Sequence, residues 1–258
     1  MANSTAARAA DLLSGLGAIS LDGLEERAAL LKRIDRKYVL EADVFEALID
    51  RLAGDHDALE IDDRRLFAYR SVYFDTPDLR CFHDHIEDRQ PRFKARTRLY
   101  RDTGLCHFEV KLKPEDGETD KRQTEHPPER AEELTDDARR LLAEALGPAD
   151  IEPPDDLRAI LRTCFDRATL AARDSSARVT CDVDIAMETL EGRAARVRDG
   201  LVLVESKSED GDAPADRVLA ELGHEPVSLS KYRVSIDLLV ERDESGDLGA
   251  VRELFRVG

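Results

Sequence analysis

The chain has 258 residues, enough for one large domain or two small ones with a sizeable core. Its 56 Asp and Glu against 39 Lys and Arg give a formal net charge of −17, which makes it a poor general binder of nucleic acid or anionic membrane. No apolar run approaches the roughly 20 residues that span a bilayer, no signal-peptide pattern opens the chain, and Cys81, Cys106, Cys164 and Cys181 are scattered, so reduced thiols and a cytoplasmic location are expected.

Residues 1–20 read as poorly ordered or peripheral. A helix is expected over 21–31, where Asp22 and Glu25 have capping-box spacing. A strand follows over 33–40, with Arg33, Asp35 and Lys37 on one face. Val44, Phe45, Leu48, Ile49 and Leu52 keep helical rhythm over 41–52. Residues 56–65 read as a polar connection, 66–74 as a strand, and 79–88 as a helical turn carrying His83-x-His85. Without a third ligand of matching type nearby, that histidine pair does not read as a metal site.

Next comes a hairpin within 91–113. Arg92, Lys94, Arg96 and Arg98 share one face of its first strand; Phe93, Ala95, Thr97 and Leu99 share the other. The second strand repeats the pattern, with Glu109, Lys111 and Lys113 against Phe108, Val110 and Leu112. A strand over 119–125 carries Lys121 and Arg122. A helix is expected over 129–146, stopped by Gly147-Pro148, and then an acidic connector over 147–156. A short helix or turn at 157–162 leads to strands at 163–172 and 178–189. Residues 191–200 read as a charged loop, 201–207 as a strand with Glu205 and Lys207 on one side, 213–222 as a helix, and 230–238 as an alternating strand carrying Lys231. The tail, 248–255, reads as a short helix. One main domain over 21–240 is expected, followed by a tail at 241–258.

Basic residues concentrated on strand faces, against the global charge, point to a local anion site. The expected fold is α+β: a closed antiparallel β-barrel whose basic faces line a tunnel, with helices packed outside. So many inward cations need a polyanion or abundant water to compensate them. A chain of phosphates fits, because Arg grips phosphate as a planar fork and Lys as a point charge. Glu109 and Glu205 sit among the lysines, and Asp182 and Asp184 lie on the Arg178 face. Such carboxylates either hold the cations in place or share a Mg²⁺ or Mn²⁺ ion with substrate oxygens. Walker, dinucleotide, kinase and nucleophile-elbow motifs are missing from the sequence, so side chains rather than a glycine loop must hold any nucleotide phosphates.

In order, Arg33-Ile-Asp35-Arg-Lys37-Tyr38, Tyr73-Phe-Asp75-Thr-Pro-Asp78, Arg96-Thr-Arg98-Leu-Tyr100, Phe108-Glu109-Val-Lys111, Phe165-Asp-Arg167, Arg178-Val-Thr-Cys-Asp182, Val204-Glu205-Ser-Lys207 and Ser230-Lys231-Tyr232 resemble the VTC domain. This is the catalytic domain of polyphosphate polymerases, within the triphosphate tunnel metalloenzyme (CYTH-like) superfamily. The resemblance implies an eight-stranded tunnel and Mn²⁺- or Mg²⁺-assisted transfer of the ATP γ-phosphoryl group to polyphosphate. A hydrolase of tripolyphosphate or nucleoside triphosphates, or a non-catalytic polyphosphate-binding module, stand as alternatives. By motif, Lys37, Arg96, Arg98, Lys111, Arg167, Arg178 and Lys231 would be catalytic, and they bind phosphate together with Lys113, Lys121, Arg122 and Lys207. Arg122 is the alternate for Lys121. Glu205 would hold the metal, with Glu109 as helper. ATP and polyphosphate or triphosphate are the implied partners; a membrane-protein partner is implied only as an option, with no insertion by this chain. Two departures stand out. Arg33-x-Asp35-x-Lys37 replaces the superfamily's Glu-x-Glu-x-Lys, and Ser228 stands where the polymerase pattern has a second lysine.

Overall fold

A computed structural model describes residues 4–28, 34–116, 118–174, 176–242 and 248–258. In chain order the elements are α1 (Thr5–Leu13), β1 (Gly17–Ile19), α2 (Leu21–Ala28), β2 (Ile34–Glu41), α3 (Ala42–Leu52), β3 (His56–Leu59), β4 (Phe67–Asp75), α4 (Arg80–Ile86), β5 (Arg92–Tyr100), β6 (Cys106–Lys113), β7 (Asp120–Glu125), α5 (Asp136–Leu146), β8 (Arg158–Ala172), β9 (Arg178–Thr189), β10 (Ala194–Val197), β11 (Leu201–Ser208), α6 (Pro214–Glu221), α7 (Lys231–Leu239), α8 (Gly249–Arg252) and β12 (Phe255–Val257). Arg33 lies outside the described residues.

The fold is α+β, with a large antiparallel sheet that includes one parallel pair, β1–β3. Eight long strands follow one path, β2-β11-β9-β8-β4-β5-β6-β7. Among the described residues β2 and β7 do not pair, and the short strands β1, β3, β10 and β12 raise the total to twelve. The pairing is therefore not the closed ring of eight expected from the sequence.

Two compact units make up the chain. The first comprises Met1–Phe67, Phe165–Ile185 and Val197–Ser228. In it the apolar faces of β2, β9 and β11 (Tyr38 and Leu40; Val179, Cys181 and Val183; Val202 and Val204) bury against α3 and α6. Within residues 4–20, Ser4 caps α1, and Ala9 and Leu13 are buried in this core. The second unit comprises Ala68–Cys164, Ala186–Arg196 and Leu229–Gly258. There Phe74, Phe93, Ala95, Phe108, Val110 and Leu112 pack against Ala138, Leu142 and Leu146 of α5.

Several elements differ from expectation, each for a local reason. The helix expected from 129 begins at Asp136, because Thr135 caps it by accepting from the Ala138 N–H at 3.3 Å. The expected turn at 157–162 is the start of the fifteen-residue β8. The connections at 56–65 and 191–200 hold the short strands β3 and β10, which pair with β8 and β9. The alternating 230–238 segment is the helix α7, in which Arg233 and Asp237 are buried as well as Tyr232, Val234 and Ile236. A helix buried on nearly every side keeps no readable polar stripe. Asp237 tolerates burial because Arg252 of α8 grips it in a fork at 2.7 and 2.6 Å.

Candidate functional site

The first unit carries one charged face on three neighbouring strands. β11 sits between β2 and β9, so Lys37, Glu205 and Thr180 form one cross-strand rung, and Asp35, Lys207 and Arg178 the next. Because strands alternate faces, these residues project opposite to the apolar set that binds α3 and α6. Lys37 Nζ lies 3.6 Å from Glu205 Oε1, and Lys207 Nζ lies 3.2 Å from Oε2. Lys207 Nζ also donates to Thr180 Oγ1 at 3.0 Å. Burial pushes the Lys207 ammonium down to about 8 even though Glu205 opposes it. Beside these rungs, Asp182 holds Arg167 through two hydrogen bonds of 2.6 and 2.8 Å. The Arg167 guanidinium stands 5.1 Å from the Phe165 ring centroid.

The back of the same strands is fastened by one carboxylate. Asp216 of α6 accepts from Tyr38 Oη at 2.8 Å, from Ser206 Oγ at 2.9 Å and from its own cap N–H at Ala213 at 3.0 Å. Tyr38 neighbours Lys37, and Ser206 lies between Glu205 and Lys207, so this anchor sets the pitch of the charged face.

The second unit carries another charged face, on β4 to β7. Tyr73, Arg96, Glu109 and Gln123 form one rung across four strands. Lys94, Lys111 and Lys121 form the next, with Arg92 opposite Lys113 beyond it and Arg98 opposite His107 on the other side. Glu109 is the hub. Its Oε2 lies 2.6 Å from Arg96 Nε and 3.9 Å from Arg98 Nε, and its Oε1 lies 2.8 Å from Lys121 Nζ. Burial alone would raise its pKa, but Arg96, Arg98 and Lys121 outweigh that and hold the carboxyl well below the usual range. Tyr73 and Tyr69 stand under Arg96 and Arg98, with centroids 6.0 and 5.7 Å from the guanidinium carbons.

The structure brings Lys37, Arg178, Arg167, Lys207 and Glu205 together in the first unit, and Arg96, Arg98, Lys111, Lys113, Lys121 and Glu109 in the second. Lys231 also lies in the second unit, as the first residue of α7 rather than on a strand. Arg122 is not on the charged face. It stands opposite Val110, binds Asp120 at 2.8 Å and donates to the Glu144 carbonyl of α5 at 2.9 Å. Asp184 sits where β9 exchanges β11 for β10, in left-handed backbone at φ 52°. Sequence reading left out Lys94 and Thr180 as site residues. Strand alternation put both on the charged faces of their strands.

A divalent ion fits these residues only in part. Among the described residues no three His, Cys, Asp or Glu side chains converge as ligands. Glu109 is 3% exposed and both oxygens are taken by cations, so it offers a metal no open edge. Glu205 is 19% exposed, and its lysines stand off at 3.2 and 3.6 Å. It can supply one carboxylate, with the other ligands drawn from phosphate oxygens and water, as Mg²⁺ commonly requires. His83 faces Glu241 at 3.2 Å. Burial, then Lys94, Arg92 and Arg233, pull His85 down to about 3, so it stays neutral.

Residues 32–240 match the family model described as the VTC domain. The chain belongs to the VTC domain family. No curated protein matches it. Solved structures with a similar fold include a proposed adenylyl cyclase from Hippeastrum described as having a dominant triphosphatase activity (14% identity, 79% of this chain, 94% of that chain, TM-score 0.50). A proposed adenylate cyclase from Bacillus halodurans aligns at 18% identity over 78% of this chain and 94% of that one, with TM-score 0.49. Another from Vibrio parahaemolyticus aligns at 12% identity over 78% and 95%, with TM-score 0.43. No helix among the described residues is long and apolar enough to cross a membrane.

Proposed function

We propose that this VTC domain is an ATP-dependent polyphosphate polymerase, with the functional domain spanning 21–240. In the reaction, a terminal oxygen of the polyphosphate chain attacks the ATP γ-phosphorus. The bond from that phosphorus to the β–γ bridging oxygen breaks, and ADP leaves with the electron pair. A Mn²⁺ or Mg²⁺ ion held by Glu205 would neutralise phosphate charge.

The observation that carries this reading is how the acids on the charged faces are used. Glu109 and Asp182 are consumed in fixing Arg96, Lys121 and Arg167. Neither is disposed to take a proton from a nucleophile. A phosphate terminus is already ionised and needs no base, so a fixed array of cations suffices. In the first unit Arg167 and Arg178 would grip phosphate oxygens, with Lys37 and Lys207 as point charges; in the second Arg96 and Arg98 would do so, with Lys111, Lys113, Lys121 and Lys231. The braced geometry means the array needs little reorganisation as charge shifts.

The four cysteines are unbridged, three of them buried, which suits the proposed cytoplasmic setting. The test is the fate of the γ-phosphate. With γ-labelled ATP and Mn²⁺, label should appear in material that an exopolyphosphatase degrades to phosphate, in step with ADP release. Label found only as free phosphate from the outset would instead establish a hydrolase.

A further inference from the structure

Two motifs have no part in the reaction as proposed: the aspartate of Tyr73-Phe-Asp75 and the tyrosine of Ser230-Lys231-Tyr232. In the fold they meet. Tyr232 Oη donates to Asp75 Oδ2. Asp75, fully buried, also accepts from the backbone N–H groups of Thr76 and Cys81 at 2.8 Å each and of Phe82 at 3.1 Å. Burial and the Asp75 carboxylate push the Tyr232 phenol pKa up, so it remains a donor. The start of α7 is thereby fixed to the end of β4 and the first turn of α4.

The Tyr232 ring, held by this bond, faces the basic strand. Lys94 Nζ lies 5.9 Å from its centroid and 3.4 Å from Ser230 Oγ. Tyr73 packs on the same ring at 5.2 Å, and Arg96 stands 6.0 Å over Tyr73. Lys94 shares the β5 face with Arg96 and occupies a rung with Lys111 and Lys121. A lysine stem has costly rotamer freedom, and an aromatic face under the ammonium restricts it.

We infer that Lys94 is a further phosphate-binding residue of the second unit's basic face, and that Asp75 and Tyr232 are its positioning residues. This rests on the reading of that face as a phosphate-binding surface. Asp75 and Tyr232 touch no phosphate; they set the ring that sets the lysine.

The test is a double-mutant cycle read by calorimetric titration with inorganic tripolyphosphate, a probe independent of turnover. Lys94→Gln should weaken binding about tenfold, as loss of one charge-assisted contact does. Lys94→Arg should restore most of it. Tyr232→Phe, which keeps the ring but removes its anchor, should weaken binding about threefold; in a Lys94→Gln background it should add almost nothing, because the two act through one contact. Binding within twofold of wild type in Lys94→Gln overturns the inference. So do fully additive losses in the double variant, and so does a wild-type protein that binds no tripolyphosphate. A protein that shows the coupled losses yet makes no polymer from ATP refutes the polymerase reading and supports Lys94.

Discussion

Glu109 and Arg96 stand opposite one another on adjacent strands, and the carboxylate Oε2 lies 2.6 Å from the guanidinium Nε. The same carboxylate holds Lys121 at 2.8 Å, so one acid organises cations from β5 and β7. Glu109→Gln leaves these cations facing one another without compensation. It should cost about 3 kcal/mol of folding stability, the scale for removing one partner of a buried ion pair. Chemical denaturation of both proteins at neutral pH measures it.

The same pair makes a pH prediction. The folded-state pKa of Glu109 lies below the ~4.3 of an unperturbed glutamate. Its contribution is therefore complete above the unfolded value and is lost as pH falls through the folded one. The difference in Tm between wild type and Glu109→Gln should be largest near neutrality and shrink as the pH is lowered below about 4. A constant difference across that range would show that the carboxylate charge is not what stabilises the rung.

Glu205 is more exposed than Glu109, at 19% against 3%, and the two should separate in function. Glu205→Gln is expected to abolish metal-dependent turnover while tripolyphosphate affinity stays within a fewfold of wild type. Titration of Mn²⁺ in the presence of tripolyphosphate, alongside the activity assay, checks this. Undiminished turnover would remove Glu205 from the metal.

Lys207 gives a second pH signature. Burial holds its pKa at about 8, against about 10.4 for a free lysine. Between these values the unfolded chain binds the extra proton, so this group makes stability rise with pH there. Phosphate binding should move the other way, weakening between pH 7 and 9 as the folded-state ammonium loses its charge. Lys207→Met should lack this step. Tripolyphosphate affinities of the two proteins across that range decide it.

Lys121 and Arg122 are neighbours with opposite placements. Lys121→Ala should weaken tripolyphosphate binding about tenfold. Arg122→Ala, which removes the bonds to Asp120 and the Glu144 carbonyl, should leave binding unchanged and lower stability by about 1 kcal/mol. Parallel titrations and melting curves distinguish the two.

This pair also shows how far the sequence could be read. Alternation alone put Arg92, Lys94, Arg96 and Arg98 on one strand face, because the period of two is set by the backbone. In β7, where polar residues occupy both faces, only the register with β6 separates Lys121 from Arg122. Lys231 was legible as a site candidate, but its helix was not, since burial of Arg233 and Asp237 erased the periodicity. The short strands β1, β3, β10 and β12 arise from pairing with neighbours rather than from local propensity, so nothing in their own residues announced them. The Asp75–Tyr232 bond joins residues 157 positions apart in the chain, a contact that no local pattern encodes.

The central claim is chain growth, and one incubation tests it most directly. The protein is supplied with ATP and Mn²⁺, with and without a short polyphosphate primer, and the products are resolved on a polyphosphate-stained gel while free phosphate is assayed in parallel. The polymerase account predicts a ladder of lengthening chains, ADP released in proportion, and a faster start with primer. Free phosphate accumulating with no ladder, or no metal-dependent turnover at all, would contradict it.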